Sequence, residues 1–196
     1  MPHVLPLVSR AGAEKFFRRP QWRNLFGLRR FTAIPAEKHS DGTPTLPWME
    51  CVWLPHYRID IEGHYAKRTG CLSASLEAWS GAFAFFQLHD ALHEGPPPGP
   101  HFPPGLEEQQ AIRLARREML RNIMRRRGQR EKPTLGKTLS ISLFHYPFWV
   151  LYFQRRRGRI DIRIQDAYTG ERGGNRNRAG LLSALVQQRA SGDGSL

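Results

Sequence analysis

Two cysteines among 196 residues are too few for a disulfide framework and suit a reducing compartment. Long apolar runs are missing too. The longest, Leu143 to Phe153, is interrupted by His145 and Pro147, well short of the roughly eighteen residues that a membrane helix needs. The first residues lack the apolar core of a secretory signal. They are rich in arginine and poor in acid, which overlaps in composition with an organelle transit peptide, but Pro2, Pro6 and Pro20 interrupt any long helix. The expectation is therefore a basic arm and a cytoplasmic protein, or an organelle-matrix protein if that arm is a transit peptide. Acidic residues are scarce: seventeen against thirty Lys and Arg, giving a net charge of +13. Such a chain favours polyanionic partners. No Gly-x-Ser-x-Gly, phosphate-loop or His-Glu-x-x-His pattern occurs, so no enzyme is expected.

What is present argues for a folded core. Eleven Phe, five Trp and five Tyr are more than disordered chains carry, and the length suits one domain. Arginine supplies twenty-five of the thirty cations. Guanidinium groups grip phosphate and carboxylate with two parallel hydrogen bonds, although a GC-rich genome produces the same bias. Charge is uneven along the chain. Residues 1–35 sum to +6, 36–105 to −4, 106–137 to +6 and 138–196 to +5. The acidic segment could thus neutralise arginines within the fold.

Tyr57, Ile59 and Ile61 alternate with Arg58, Asp60 and Glu62 as a half-buried strand, with a turn expected at Glu62-Gly63 or Thr69-Gly70. Ser140–His145 and Phe148–Gln154 read as strands around Pro147, followed by Ile160, Ile162 and Ile164. The segment Gly95 to Gly105 holds six prolines and reads as a stiff connection. A helix is expected over Leu106–Arg127, with Ile112, Ala115, Met119, Leu120, Ile123 and Met124 as its apolar stripe, and a second over Arg178–Arg189. The expected fold is α+β: an antiparallel sheet of four to six strands with two main helices on one face. The division is a basic aromatic arm at 1–47, one domain at 48–190 and a flexible tail at 191–196.

An internal echo suggests a duplicated strand–strand–helix unit over 48–130 and 138–190. Glu77-Ala78-Trp79-Ser80-Gly81 matches Asp166-Ala167-Tyr168-Thr169-Gly170 at an offset of 89, and the proline–aromatic clusters at Trp53–Tyr57 and His145–Trp149 match at 92. In each turn the acid can accept hydrogen bonds from turn amides and the glycine permits positive φ. The second turn resembles the strand-end turn of small bacterial PepSY modules over about ten residues, which implies nothing about function.

Three basic clusters are candidate polyanion-binding residues. Arg18 and Arg19 belong to the arm; Arg113, Arg116, Arg117, Arg121, Arg125, Arg126 and Arg127 to the helix; Arg155, Arg156 and Arg157 to a turn. Phe16, Phe17, Trp22 and Phe26 accompany the first cluster, and Tyr146, Phe148, Trp149, Tyr152 and Phe153 precede the third, as stacking rings would in RNA binding. No cofactor is expected. A zinc shell from Cys51, Cys71, His89 and His93 is the competing metal reading, with the two histidines on one helical face. The cysteines read more simply as small buried residues on neighbouring strands. The functional expectation is a non-catalytic module that docks on a polyanionic or acidic surface, nucleic acid (RNA or DNA) first. A structural subunit or assembly factor within a large multiprotein complex is the alternative, and a zinc-dependent or peripheral membrane protein comes third.

Overall fold

A computed structural model describes residues 1–18, 32–33, 48–65, 68–125, 132–154 and 160–192. Among the described residues eight strands form one sheet: β1 (His3–Val4), β2 (Thr32–Ala33), β3 (Met49–Tyr65), β4 (Arg68–Glu77), β5 (Phe83–Phe85), β6 (Leu92–His93), β7 (Thr134–Gln154) and β8 (Ile160–Asp166). Three helices pack on it: α1 (Arg10–Arg18), α2 (Glu108–Arg125) and α3 (Asn175–Gly192). The α+β class holds, but the sheet is larger than the four to six strands expected. It is also mixed, because β1 runs parallel to β7 at His3 and His145. β1 and α1 are built into the domain and are no detached arm: Val4 and Ala13 are fully buried.

The two long strands, β3 and β7, pair antiparallel from Met49–Leu151 to His64–Thr134. Each also leads into a hairpin: β3 pairs with β4, and β7 with β8. Gly63 stands opposite Gly70 and Tyr65 opposite Arg68 in the ladder, so neither glycine turn expected is a turn. Both long strands run unbroken through a proline, where the sequence suggested a break at Pro147. A proline in a central strand normally costs a ladder hydrogen bond. Here Trp53 N and the Pro55 carbonyl both face away from β7, towards Pro100 O (2.8 Å) and Ala78 N (2.9 Å) respectively. The missing amide of Pro55 therefore points to the side where the neighbouring chain changes, between the end of β4 and the segment at Pro100. Pro147 sits in the same gap on the other side, between the end of β8 and β1.

That likeness extends through the core. Ala78 N donates to Pro55 O at 2.9 Å, and Ala167 N to Pro147 O at 3.1 Å. Ala78 O accepts from Gly105 N and Leu106 N, as Ala167 O does from Leu7 N and Val8 N. Trp53 N donates to Pro100 O, and His145 N to Pro2 O. The ring of Tyr57 reaches Leu106 O and that of Trp149 reaches Val8 O, both at 2.8 Å. These pairs relate β3 to β7 at an offset of 92, the turns at 89, and the segments 2–8 and 100–106 at 98. The two halves are thus arranged about a pseudo-twofold axis between Leu54 and Tyr146, which face each other in the ladder. Each half's leading segment, here called a strap, lies on the other half's hairpin. The turn chemistry repeats as well. Glu77 accepts from Trp79 N and Ser80 N, Asp166 accepts from Tyr168 N and Thr169 N, and Gly81 and Gly170 have φ of 67° and 78°.

Both faces of the sheet are covered in part. On one face α2 buries Ala111, Ala115, Met119 and Ile123 against Tyr57, Ile59, Ile61 and Leu76. On the same face α1 buries Ala13 and Phe17 against Met49, Trp149 and Leu151. The shared face follows from parity, since Met49, Tyr57, Ile59 and the partners of Trp149 and Leu151 are all odd-numbered positions of β3. On the opposite face α3 places Leu181 and Ala184 against the large cluster of Leu54, Phe144, Tyr146, Phe148, Tyr152 and Ile164. The two helices expected on one face, α2 and α3, therefore lie on opposite faces, and α1 stands on the side of α2.

Candidate polyanion-binding face

The helix α2 begins where the strap ends. Gly105 and Leu106 are held to Ala78 O, so the helix starts at Glu108, two residues later than expected. Glu107 and Glu108 suit the positive end of its dipole, and Arg125 its negative end. The buried alanines let the helix lie close on the sheet. Arg116 ties it down, donating to Gly136 O at 2.7 Å. Leu120 and Met124 do not belong to the buried stripe: they are 43% and 62% exposed and lie among the arginines.

Arg113, Arg117, Arg121 and Arg125 are exposed along the outer side of α2. Successive members are four residues apart, so their Cα atoms climb about 18 Å along the axis. Arg117 and Arg121 flank Glu118 at 3.6 and 3.5 Å, with side chains 70% and 54% exposed. Glu118 itself is buried, its side chain 11% exposed, so two exposed guanidinium groups cover one buried carboxylate. Among the described residues, no ion pair joins an α2 arginine to the acidic segment 36–105. Four carboxylates there have other partners: Asp60 with Arg58 and Ser140, Glu62 with His64, Glu50 with the Tyr152 hydroxyl, and Glu77 with its own turn.

The other candidate residues divide. Arg18 is exposed at the end of α1. Arg19, Arg126, Arg127, Arg155, Arg156 and Arg157 lie outside the described residues. Arg163 has a structural position, donating to Phe17 O at 3.1 Å and lying over its ring. The stacking platform is a correction. Tyr146, Phe148, Trp149, Tyr152 and Phe153 are all buried in the core, and Phe17 is buried beneath α1, so none offers a ring face to a base. Trp22 and Phe26 lie outside the described residues.

The zinc candidates do not converge. Cys51 stands opposite Trp149, and Cys71 opposite Glu62, eleven residues further along β3. At about 3.3 Å per residue that is a separation of about 36 Å, far beyond one coordination shell. Cys71 is exposed rather than buried. Burial pushes the Cys51 thiol up to about 12, with Glu50 adding to it, so it stays protonated. His89 lies in a short 3-10 turn and His93 in β6, so the two share no helical face.

Among the described residues two hydroxyls lie beside histidines: Thr69 Oγ1 is 3.1 Å from His64 Nδ1 at the exposed end of the first hairpin, and Ser75 Oγ is 3.1 Å from His56 Nδ1 in the core. Burial, with His145 adding to it, lowers the His56 pKa to about 3, and its Nε2 has no hydrogen-bond partner. An imidazole so hard to protonate is a poor general base.

Sequence reasoning missed the role of α1. Its signal was the match of residues 10–24 to 108–122 at an offset of 98. Ala13 aligns with Ala111, Lys15 with Arg113, Arg18-Arg19 with Arg116-Arg117 and Arg23-Asn24 with Arg121-Asn122. Among the described residues, no helix is long and apolar enough to cross a membrane. Comparison with protein families, curated proteins and solved structures found no match to this chain.

Proposed function

We propose that this protein is a non-catalytic basic module that docks on a polyanionic macromolecular surface, with nucleic acid, RNA or DNA, as the leading partner. The observation that carries this reading is the outer side of α2, where Arg113, Arg117, Arg121 and Arg125 stand exposed in one row. The burial of Phe17, Tyr146, Phe148, Trp149, Tyr152 and Phe153 shifts the expected contact from bases to phosphates, which position a protein without specifying sequence. The weakly basic His56 beside Ser75 supports a non-catalytic role. Free thiols at Cys51 and Cys71 suit a reducing compartment such as the cytoplasm.

The test is fluorescence anisotropy with labelled duplex DNA, duplex RNA, single strands and heparin over a salt series. Affinity should fall steeply and linearly in log–log form, by about 0.9 per phosphate contact, as counterions are released. No binding to any of them at low salt would remove the reading. Exposed Leu120 and Met124 between the arginines favour the second reading, an acidic protein surface within an assembly. Co-purification with defined proteins that survives salt washing would select it.

A further inference from the structure

We infer that α1 is the second half of the binding face, and that the ligand is a double-stranded nucleic acid gripped by α1 and α2 together. This rests on the polyanion reading above and extends it in two respects: the residues used and the form of the ligand.

The two helices are equivalent by contact. Val8 and Leu106, the last strap residues before each helix, donate to equivalent carbonyls and accept from equivalent rings. Ala13 and Ala111, at the offset of 98, are both fully buried against the sheet. The same offset brings Lys15 onto Arg113, both exposed, and Arg18 onto Arg116. Arg18 is itself exposed, whereas Arg116 is half-buried on Gly136 O. Lys15 and Arg18 are thus exposed to a ligand on α1, as Arg113 and Arg117 are on α2, where Arg117 also covers Glu118.

Both helices stand on the same face of the sheet. Their equivalent anchors are Tyr57 for α2 and Trp149 for α1. Trp149 is paired with Cys51, six residues from Tyr57 along β3. The anchors are therefore about 20 Å apart at 3.3 Å per residue, and with helices about 10 Å wide the basic face reaches about 30 Å. That approaches one turn of a duplex, about 34 Å.

The symmetry selects the form of the ligand. A duplex has twofold axes between its antiparallel strands, and dimeric binding proteins align their own axis with one of them. Here one chain supplies both halves, so each helix can meet an equivalent row of phosphates on opposite strands. A single strand has no such axis.

The experiment uses the full chain, a duplex of about 20 base pairs, the corresponding single strand, and two double variants. One is Lys15→Gln with Arg18→Gln; the other is Arg113→Gln with Arg117→Gln. Each should make the salt slope on the duplex shallower by about 1.8, two contacts at 0.9 each, with similar losses of affinity. Restoring charge with Lys15→Arg and Arg18→Lys should recover the slope, which separates charge from folding. The single strand should bind more weakly at every salt concentration. An unchanged slope in the α1 variant, with loss in the α2 variant, would overturn the role of α1 and leave the α2 reading intact. Equal affinity for the single strand would overturn the duplex assignment. Absence of all salt-sensitive binding would remove the underlying reading instead.

Discussion

Trp53 and His145 occupy equivalent positions about the pseudo-twofold axis, and each donates a ring N–H to a strap carbonyl. Trp53 Nε1 reaches Val4 O at 3.0 Å, and His145 Nε2 reaches Phe102 O at 3.3 Å. Two different rings thus do one task, each holding the strap of its own half. The consequences of losing them differ. Trp53→Phe leaves the Val4 carbonyl buried without its donor, which should cost about 1–3 kcal/mol. His145→Phe orphans the Phe102 carbonyl but also removes the buried, unpartnered Nδ1, so its cost should be smaller. Urea unfolding at pH 8 measures both, and the reverse order would count against the equivalence.

Acid should destabilise the protein through two histidines. Burial lowers the pKa of His56 to about 3 and also depresses that of His145, where His101, the N-terminus and His3 add to the effect. A base whose pKa is lower in the folded state binds more protons when unfolded, so stability rises with pH. Their contribution is complete above the unfolded value of 6.5 and is lost as pH falls below it, for His56 down to about 3. Between pH 6 and 4 His56 alone should steepen the loss by about 1.4 kcal/mol per pH unit. Chemical unfolding of His56→Leu across this range should show a flatter profile. A wild-type profile of unchanged steepness in that variant would refute the assignment.

Much of this fold can be read from the sequence because local periodicity and turn chemistry agree with it. Tyr57, Ile59 and Ile61 alternate because one side of β3 faces α2. The two acid–aromatic–glycine turns repeat because each closes a hairpin with the same set of amide contacts. The straps were harder to read. Prolines in the segment Gly95–Gly105 suggest a connection, yet Phe102 enters the core and Gly105 lies where a Cβ would come within 2.5 Å of the Trp79 ring. Such contacts join distant parts of the chain and leave no periodic trace. Leu120 and Met124 misled for a related reason. Spacing of three and four residues defines a stripe, but how much of that stripe a partner covers depends on the width of the sheet beneath it. The basic residues of α2 were legible, whereas the burial of Tyr146, Phe148 and Tyr152 was not, because core strands and stacking platforms are both aromatic.

Gly180 is where α3 crosses the turn after β4. A Cβ there would overlap the Glu77 carboxylate, which is fully buried and held by Trp79 N and Ser80 N. The carboxylate cannot retreat without abandoning those amides. Gly180→Ala should therefore cost about 1–3 kcal/mol, the usual range for overpacking. Gly174→Ala, where nothing lies within 4 Å, should leave the urea midpoint nearly unchanged. Equal midpoints for the two variants would mean that α3 does not press on this turn.

The arginines of α2 should separate into those that hold the fold and those that meet a ligand. Arg116 is half-buried with its guanidinium on Gly136 O, so Arg116→Gln should lower stability by about 1 kcal/mol, a typical net hydrogen-bond value. Arg117, Arg121 and Arg125 are exposed, and the first two pair with the buried Glu118 carboxylate. Replacing all three with Gln should therefore cost about 1–2 kcal/mol, nearly all of it from the Glu118 carboxylate that loses its two cations. The same triple variant should weaken nucleic-acid binding and make its salt slope shallower by about 2.7, three contacts at 0.9 each. Thermal denaturation and anisotropy on one preparation decide the matter. A clear fall in melting temperature with binding intact would mean that these residues serve the fold.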